Sequence, residues 1–484
     1  METLSLLRRA VKGSFWILML RVLQQLLFLC RLVVIARFLT PHDLGIVGIA
    51  LLVMSALDTF SQFGFDAALV QKKGDVEAFL DTAWTMLAAR GMVLYVLLWS
   101  AAPFAAAAFH VKESVWLIRL AGLSLVIRSF THVGIVYFQK TLSFSKQFTY
   151  QIVGTGAEFL GTVACILCLR NAWAIVAGLL LGDAVRLIAS YRMCPRPLRF
   201  SWNWDRAKEL IYFGRWVLGS GALVFLTLQM DSICVGKYLG ASLLGYYQLA
   251  NRISNTPATE ITHVISQIAF PLYARLQDNA EQLRSVYIRV MQIVAFLSFL
   301  LAGSIIALSP YFVRIFFGEK WLPAIPVIQI LAVAGLLRSI AAIPGRLFYA
   351  VGKPHLDTHI QIVRFVVMAA CLYPLTVRWG IVGSAYAVLA SILVSTVIFC
   401  AVTMKIVRRS GAPLFRAVVL MTIATTVMVF FYTQVPLSAH AFGGFFMAAL
   451  SGIAVYAAVA YVLDKSLKVH LYPALKQCLI ALRV

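Results

Sequence analysis

Apolar runs long enough to cross a bilayer as helices follow one another from about residue 11 to about residue 463, with short polar turns between them. No soluble core of this size could bury that much apolar surface. A bilayer can, because its hydrocarbon interior accepts apolar helices of ~20 residues. The composition agrees: 61% of residues are hydrophobic and 13% charged, against roughly half and a quarter in soluble chains. At ~35 residues per span and loop, 484 residues hold about fourteen spans. They are placed at 11–36, 44–70, 83–109, 115–137, 150–169, 172–192, 213–238, 243–273, 286–309, 322–350, 357–377, 380–403, 413–433 and 440–463. The first follows Arg8, Arg9 and Lys12, is too long for a signal-peptide core, and reads as a retained span.

The net charge of +23 would point to nucleic acid in a soluble protein. Here its location decides otherwise. With the N-terminus in the cytoplasm, most of the basic residues fall on that side, among them Lys72, Lys73, Arg192, Arg196, Arg199, Arg275, Arg284, Lys405 and Arg408. Few, such as Lys112, Arg170 and Arg314, fall opposite. This is the positive-inside pattern, with both termini cytoplasmic and the basic face meeting anionic lipid headgroups. No nucleic-acid partner is expected.

The chain repeats itself at an offset of 200 residues. Leu39, Leu44, Gly45 and Ala50 recur as Leu239, Leu244, Gly245 and Ala250, and Trp16 falls on Trp216. Six spans separate the copies, so the repeats are parallel and define two six-helix lobes. The expected fold class is an all-α polytopic membrane protein of two parallel lobes plus two extra C-terminal helices. The N-terminal lobe would occupy 1–192 and the C-terminal lobe 213–403. A cytoplasmic interfacial linker at 193–212, with Pro195, Pro197, Trp202 and Trp204, would join them, and 404–484 would hold the last two spans and the tail.

Charge at membrane depth is costly and normally faces protein or a wet cavity. Arg21, Gln24, Gln25 and Arg31 fall within about 120° of arc on the first span. Ser55, Asp58, Thr59, Gln62 and Asp66 share one face of the second. Gln248, Arg252, Asn255, Thr259, His263 and Ser266 form a stripe on the eighth. Arg128, Arg338 and Arg364 also lie deep. Arginines outnumber carboxylates at depth, which suits an anionic passenger, because guanidinium pairs well with phosphate and carboxylate oxygens. Candidate substrate-binding residues are Arg128, Arg252, Arg338, Arg364, Arg31, Gln25 and Asn255. Asp58, Asp66 and Glu158 are candidates for ion coupling, or else neutralise an arginine. Asp183 and Arg186 read as an intrahelical pair, and Arg90 lies near enough to the surface to snorkel.

Several chemistries find no residues to carry them. There is no Walker A motif and no HExxH or GxSxG. Cys165 and Cys168 lack a second pair, and His355 and His359 lack a neighbouring ligand. Neither metal nor cofactor nor enzymatic activity is expected.

Six segments carry a resemblance: ARFLTPHDLGIVGIA (36–50), FGFDAALVQKK (63–73), DSICVGKYLGASLLGYYQLANRISNTP (231–257), FPLYARLQD (270–278), FFGEKWLPAIPVIQILAVAGLLRSI (316–340) and AVGKP (350–354). Together they resemble the Wzx-type polysaccharide and oligosaccharide flippases of the multidrug/oligosaccharidyl-lipid/polysaccharide exporter superfamily, in particular its colanic-acid and teichuronic-acid exporter branch. The resemblance implies a bacterial inner-membrane carrier that flips a polyprenyl-pyrophosphate-linked oligosaccharide from the cytoplasmic to the periplasmic leaflet, coupled to H+ or Na+. Polysaccharide polymerase and export machinery would be its protein partners. The alternative is a multidrug/cation antiporter of the same fold, which would favour an acidic and aromatic lumen. A membrane-embedded glycan-processing enzyme would need a catalytic loop.

Overall fold

The computed structural model describes residues 2–62, 77–141, 143–194, 196–406, 412–434 and 442–467. Among these residues the regular structure is helical, and ten helices are long and apolar enough to cross a membrane. The chain divides into two compact units, residues 1–245 and 246–484.

The first unit begins with α1 (Glu2–Phe38) and α2 (Pro41–Thr59). Sequence fixes the start of α2. Thr40 Oγ1 accepts from the Asp43 amide at 3.2 Å, and Asp43 Oδ2 accepts from the Thr40 amide at 3.0 Å. This reciprocal cap, with Pro41 in the first turn, satisfies two of the orphan donors of a helix start. Next come α3 (Glu77–Ala108), α4 (Ser114–Ala121), α5 (Leu123–Ser129), a 3-10 turn at Val133–Ile135 and α6 (Val136–Lys140). The long α7 (Phe144–Leu169) and α8 (Trp173–Met193) pack on each other, and α1 packs on α7. The helix α9 (Trp204–Leu239) packs on α2 and α3.

Two spans differ from the sequence expectation. The second was expected to run to residue 70, yet α2 ends at Thr59, where Ser61 Oγ turns back to donate to the Leu57 carbonyl at 2.6 Å. Gln62 therefore lies beyond the helix that carries Asp58. The fourth, expected as one helix to 137, stops at Ser129. His132 is extended (ψ 116°) and caps the 3-10 turn through Nδ1, which accepts from the Gly134 amide at 2.9 Å. With Nδ1 so occupied, Nε2 carries the proton and meets the Arg196 carbonyl at 2.8 Å. The start of the linker is thus bound to the first unit. Phe200 lies 4.7 Å from the Trp84 ring, and Thr85 Oγ1 accepts from the Ser201 amide at 3.1 Å. Regular helix resumes at Trp204, inside the expected linker.

The helix α10 (Ala241–Arg275) starts in the first unit, and its first turn packs backbone to backbone on that of α2. A Cβ at Gly45 would run into the Ala241 carbonyl oxygen. One at Gly245 would run into the Pro41 carbonyl oxygen and would also stand 3.2 Å from the Gly45 amide nitrogen. Both glycines belong to the repeated segment.

The second unit continues α10 and adds α11 (Ala280–Phe312), α12 (Ile325–Ala350), α13 (Pro354–Ile406), α14 (Ala412–Gln434) and α15 (Phe442–Leu467). Tyr273, Tyr287, Ile343 and Leu347 join α10, α11 and α12 in one buried cluster. The last two helices are held on α11 by Leu420, Met421, Met428 and Tyr456, whose hydroxyl donates to the Phe296 carbonyl at 3.0 Å. The 53-residue α13 is two helices. Thr376 Oγ1 and Ser384 Oγ are 2.7 Å apart, and Ser391 Oγ donates to Met368 Sδ at 3.6 Å. Both pairs are centred near Gly380, so the chain folds back there as a hairpin. Counting both limbs, the α4–α5 pair and the more polar α9 and α10, the passes number about fourteen.

Gly380 has φ 61° and ψ −141°, a region open almost only to glycine. Gly380→Ala should cost about 1–3 kcal/mol, seen as a lowered midpoint of thermal unfolding in detergent. An unchanged midpoint would mean that the hairpin turn relaxes without strain.

Candidate functional site

Among the described residues, the densest charged cluster is built where α1, α7, α8 and α5 meet in the first unit. Thr155 and Glu158 are three residues apart, so they share one face of α7. Gln24 and Arg31 are seven apart and share one face of α1. The two faces meet. Gln24 Nε2 donates to Thr155 Oγ1 at 3.3 Å, and Arg31 Nη1 pairs with Glu158 Oε1. From α8, Arg186 Nη2 reaches Glu158 Oε2 at 3.2 Å and Thr155 Oγ1 at 3.4 Å, while its Nη1 holds Asp183 Oδ1 at 2.9 Å. The other oxygen of Asp183 accepts from Ser124 Oγ of α5. Two guanidinium groups and two carboxylates are therefore strung across three helices, with their formal charges balanced, and Ser124 ties them to a fourth.

Glycines make this closeness possible. The Arg186 side chain lies over Gly154, where any Cβ would collide with it. A Cβ at Gly182 would stand 2.6 Å from Glu158 Cβ. The side chain of Asp183 is 3% exposed and that of Glu158 14%. Ions so far from water cost several kcal/mol each unless paired and hydrogen-bonded, and here each carboxylate oxygen has a partner.

The other expected residues take different places. Asp58, half-buried on α2, faces Arg90 of α3. Arg90 Nη2 lies 2.5 Å from Asp58 Oδ1, 2.7 Å from the Asp58 carbonyl and 2.9 Å from Ser61 Oγ. Asp66 lies outside the described residues. Gln25 is half-buried next to Gln24 on α1, and Arg128 is exposed in the last turn of α5, four residues after Ser124. In the second unit, Arg252 is exposed and Asn255 half-buried on α10. Asn255 Nδ2 donates to Asn251 Oδ1 one turn earlier, and the buried Ser254 ties α10 to the Ile328 carbonyl of α12 at 2.8 Å. Arg338 on α12 and Arg364 on the first limb of α13 are half-buried. Of the expected residues, only Arg31 and Glu158 pair directly among the described side chains of the first unit. Sequence reasoning did not single out Arg186, Asp183, Ser124 and Thr155 as one cluster. The spacing of Thr155 and Glu158 beside Gly154 was the signal available.

The sequence pattern of the family described as "Polysaccharide biosynthesis protein" matches residues 34–326 of the chain, more than half of its length. The chain belongs to the polysaccharide biosynthesis protein family. Within this family it is similar to the lipopolysaccharide biosynthesis protein WzxC of Escherichia coli strain K12. The two are 28% identical over 351 residues, which are 72% of this chain and 71% of that one. It is likewise 28% identical over 297 residues to the teichuronic acid biosynthesis protein TuaB of Bacillus subtilis strain 168, covering 60% and 61% of the two chains. Among solved structures, the lipid II flippase MurJ in an inward closed conformation superposes with a TM-score of 0.75 at 13% identity, over 94% of this chain and 99% of that one. That likeness confirms the fold class, an all-α polytopic membrane protein. The Wzx-type resemblance read from the six segments agrees with these relatives. In this polysaccharide biosynthesis protein the family match takes in Asp58, Arg128, Glu158 and Arg252, and ends just inside α12, before Arg338 and Arg364. Arg31 stands three residues ahead of it.

Proposed function

We propose that the protein flips a polyprenyl-pyrophosphate-linked oligosaccharide from the cytoplasmic to the periplasmic leaflet of a bacterial inner membrane, by alternating access of two six-helix lobes. The observation that carries this reading is the excess of arginine over carboxylate in membrane-spanning helices of a polysaccharide biosynthesis protein. A pyrophosphate or acidic sugar is an anion that such side chains bind in bidentate fashion. The prenyl tail would stay in lipid, and only the headgroup would need a wet path. Arg128, Arg252, Arg338 and Arg364 would draw the headgroup, with Arg31, Gln25 and Asn255 beside them. Asp58, Asp66 and Glu158 would balance this charge, and one of them would take the coupling H+ or Na+. Asp58 is held by Arg90, and Glu158 by Arg31 and Arg186, so each also serves as a counter-ion. Both termini would be cytoplasmic, and polymerase and export machinery would act on the flipped product.

The test is a deletion strain. Lipid-linked saccharide should accumulate with its sugar inaccessible to an impermeant lectin, and the intact gene should reverse this. Normal outward display in the deletion strain, with no redundant flippase present, would favour the antiporter reading. A correctly inserted variant with Arg128, Arg252, Arg338 and Arg364 all changed to Gln should export nothing. Unimpaired export by that variant would sink the residue assignment.

A further inference from the structure

We infer that Arg119, clasped by Trp99 and Trp116, seats the phosphodiester headgroup of an anionic membrane phospholipid on the outer face of the first unit. The site is separate from the charged cluster around Glu158. The short turn 109–113 joins α3 to α4, so the end of one helix and the start of the other lie together. Trp116 and Arg119 stand two and five residues into α4, about 3 and 8 Å along its axis. Indole rings concentrate at the boundary between headgroups and acyl chains, and a tryptophan pair around an arginine near the ends of two adjoining helices fits that boundary.

The Arg119 guanidinium carbon lies 4.5 Å from the centroid of the Trp99 ring and 5.1 Å from that of Trp116. The two indoles meet edge to face at 6.0 Å. Arg119 Nε is directed at the Trp99 carbonyl oxygen, 3.4 Å away. The two terminal nitrogens donate to no protein acceptor among the described residues, and no carboxylate pairs with them there. The aromatic faces hold the cation in place and leave its charge uncompensated. In a setting of low dielectric an uncompensated guanidinium favours an anion, and its two Nη groups match two oxygens of one phosphate. At this depth the anion at hand is lipid phosphate.

The surface around the cation fits the rest of such a lipid. Trp99 is 38% exposed and Trp116 58%. Val96 and Met92, three and seven residues before Trp99, continue the same exposed face of α3 toward the middle of the membrane. A headgroup at Arg119 would lay an acyl chain along Trp99, Val96 and Met92.

The experiment uses the full chain, purified and delipidated in detergent, and titrated with phosphatidylglycerol or, separately, with diacylglycerol while native mass spectrometry counts bound lipid. One phosphatidylglycerol should bind tightly. Arg119→Met and Trp116→Leu should each weaken it at least about tenfold, the worth of one charge-assisted hydrogen bond, and leave diacylglycerol binding as it was. If Arg119→Met fails to fold, Trp116→Leu carries the test, because that ring is largely exposed. Equal retention of phosphatidylglycerol by the folded variants would overturn the inference. So would full competition by soluble glycerophosphate at equal concentration, which would put a free phosphate in the seat in place of a lipid.

Discussion

Glu158→Leu should destabilise the first unit by about 3–5 kcal/mol, the usual cost of removing one partner from a buried ion pair. Glu158 is the hub of the cluster. One oxygen pairs with Arg31 and the other with Arg186. Without it Arg186 keeps Asp183, but Arg31 is left as a charge at membrane depth facing a leucine. Arg31→Met should cost less, because Glu158 retains Arg186 at 3.2 Å. The double variant Arg31→Met/Glu158→Leu should recover much of the loss, since a packed apolar pair often equals or betters the ion pair it replaces. Thermal unfolding of the four proteins in detergent gives the coupling directly. The same double variant also separates structure from transport. If it folds and exports normally, Arg31 and Glu158 serve stability alone and have no part in cargo or ion binding. If it folds and exports nothing, they belong to the mechanism.

The second large effect is expected at the crossing of α2 and α10. Gly45→Leu or Gly245→Leu should abolish folded protein. Even alanine at either position should cost 1–3 kcal/mol or more. The obstacle in each case is a backbone carbonyl of the opposing helix start, which cannot rotate away as a side chain can. Gly156→Ala is the control. A Cβ there meets nothing within 4 Å, so alanine should be neutral or stabilising by up to about 1 kcal/mol within α7. Similar losses at Gly45 and Gly156 would mean that general helix effects, and not the close crossing, set the response.

Hydropathy and charge made the spans legible, because each span must carry its own apolar content and each loop its own charge. The breaks were less so. Phe130, Thr131 and His132 sit in an apolar stretch, and it is tertiary hydrogen bonds, such as those of His132 with Ser190 and Arg196 and of Trp84 with the Phe130 carbonyl, that show the helix ends there. The polar stripe on the first span was legible too, and it does face protein: Gln24 and Arg31 meet α7. Which carboxylate Arg31 would find was not legible, because it depends on which grooves of α7 and α8 are open, and that is set by Gly154 and Gly182. Arg186 was read as a partner for Asp183 along one helix, which it is. Its second contact, to Glu158, comes from 28 residues away on a neighbouring helix, beyond any local rule. Asp58 was read as an ion-coupling or a neutralising group, and which arginine would stand beside it was not legible; the fold places Arg90 there.

At the glycine crossing, position 45 meets 241 and position 245 meets 41. Each contact is the other with the two copies exchanged. This is the signature of an isologous interface, the kind that two identical subunits make about a twofold axis. In a homodimer every substitution at such a place is made twice and confronts itself. Here both surfaces are encoded in one polypeptide, so either can change while the other stays. Pro41 and Ala241 already differ, although they occupy equivalent positions. At this crossing the single chain is thus free to be asymmetric in its chemistry where the local backbone packing is reciprocal.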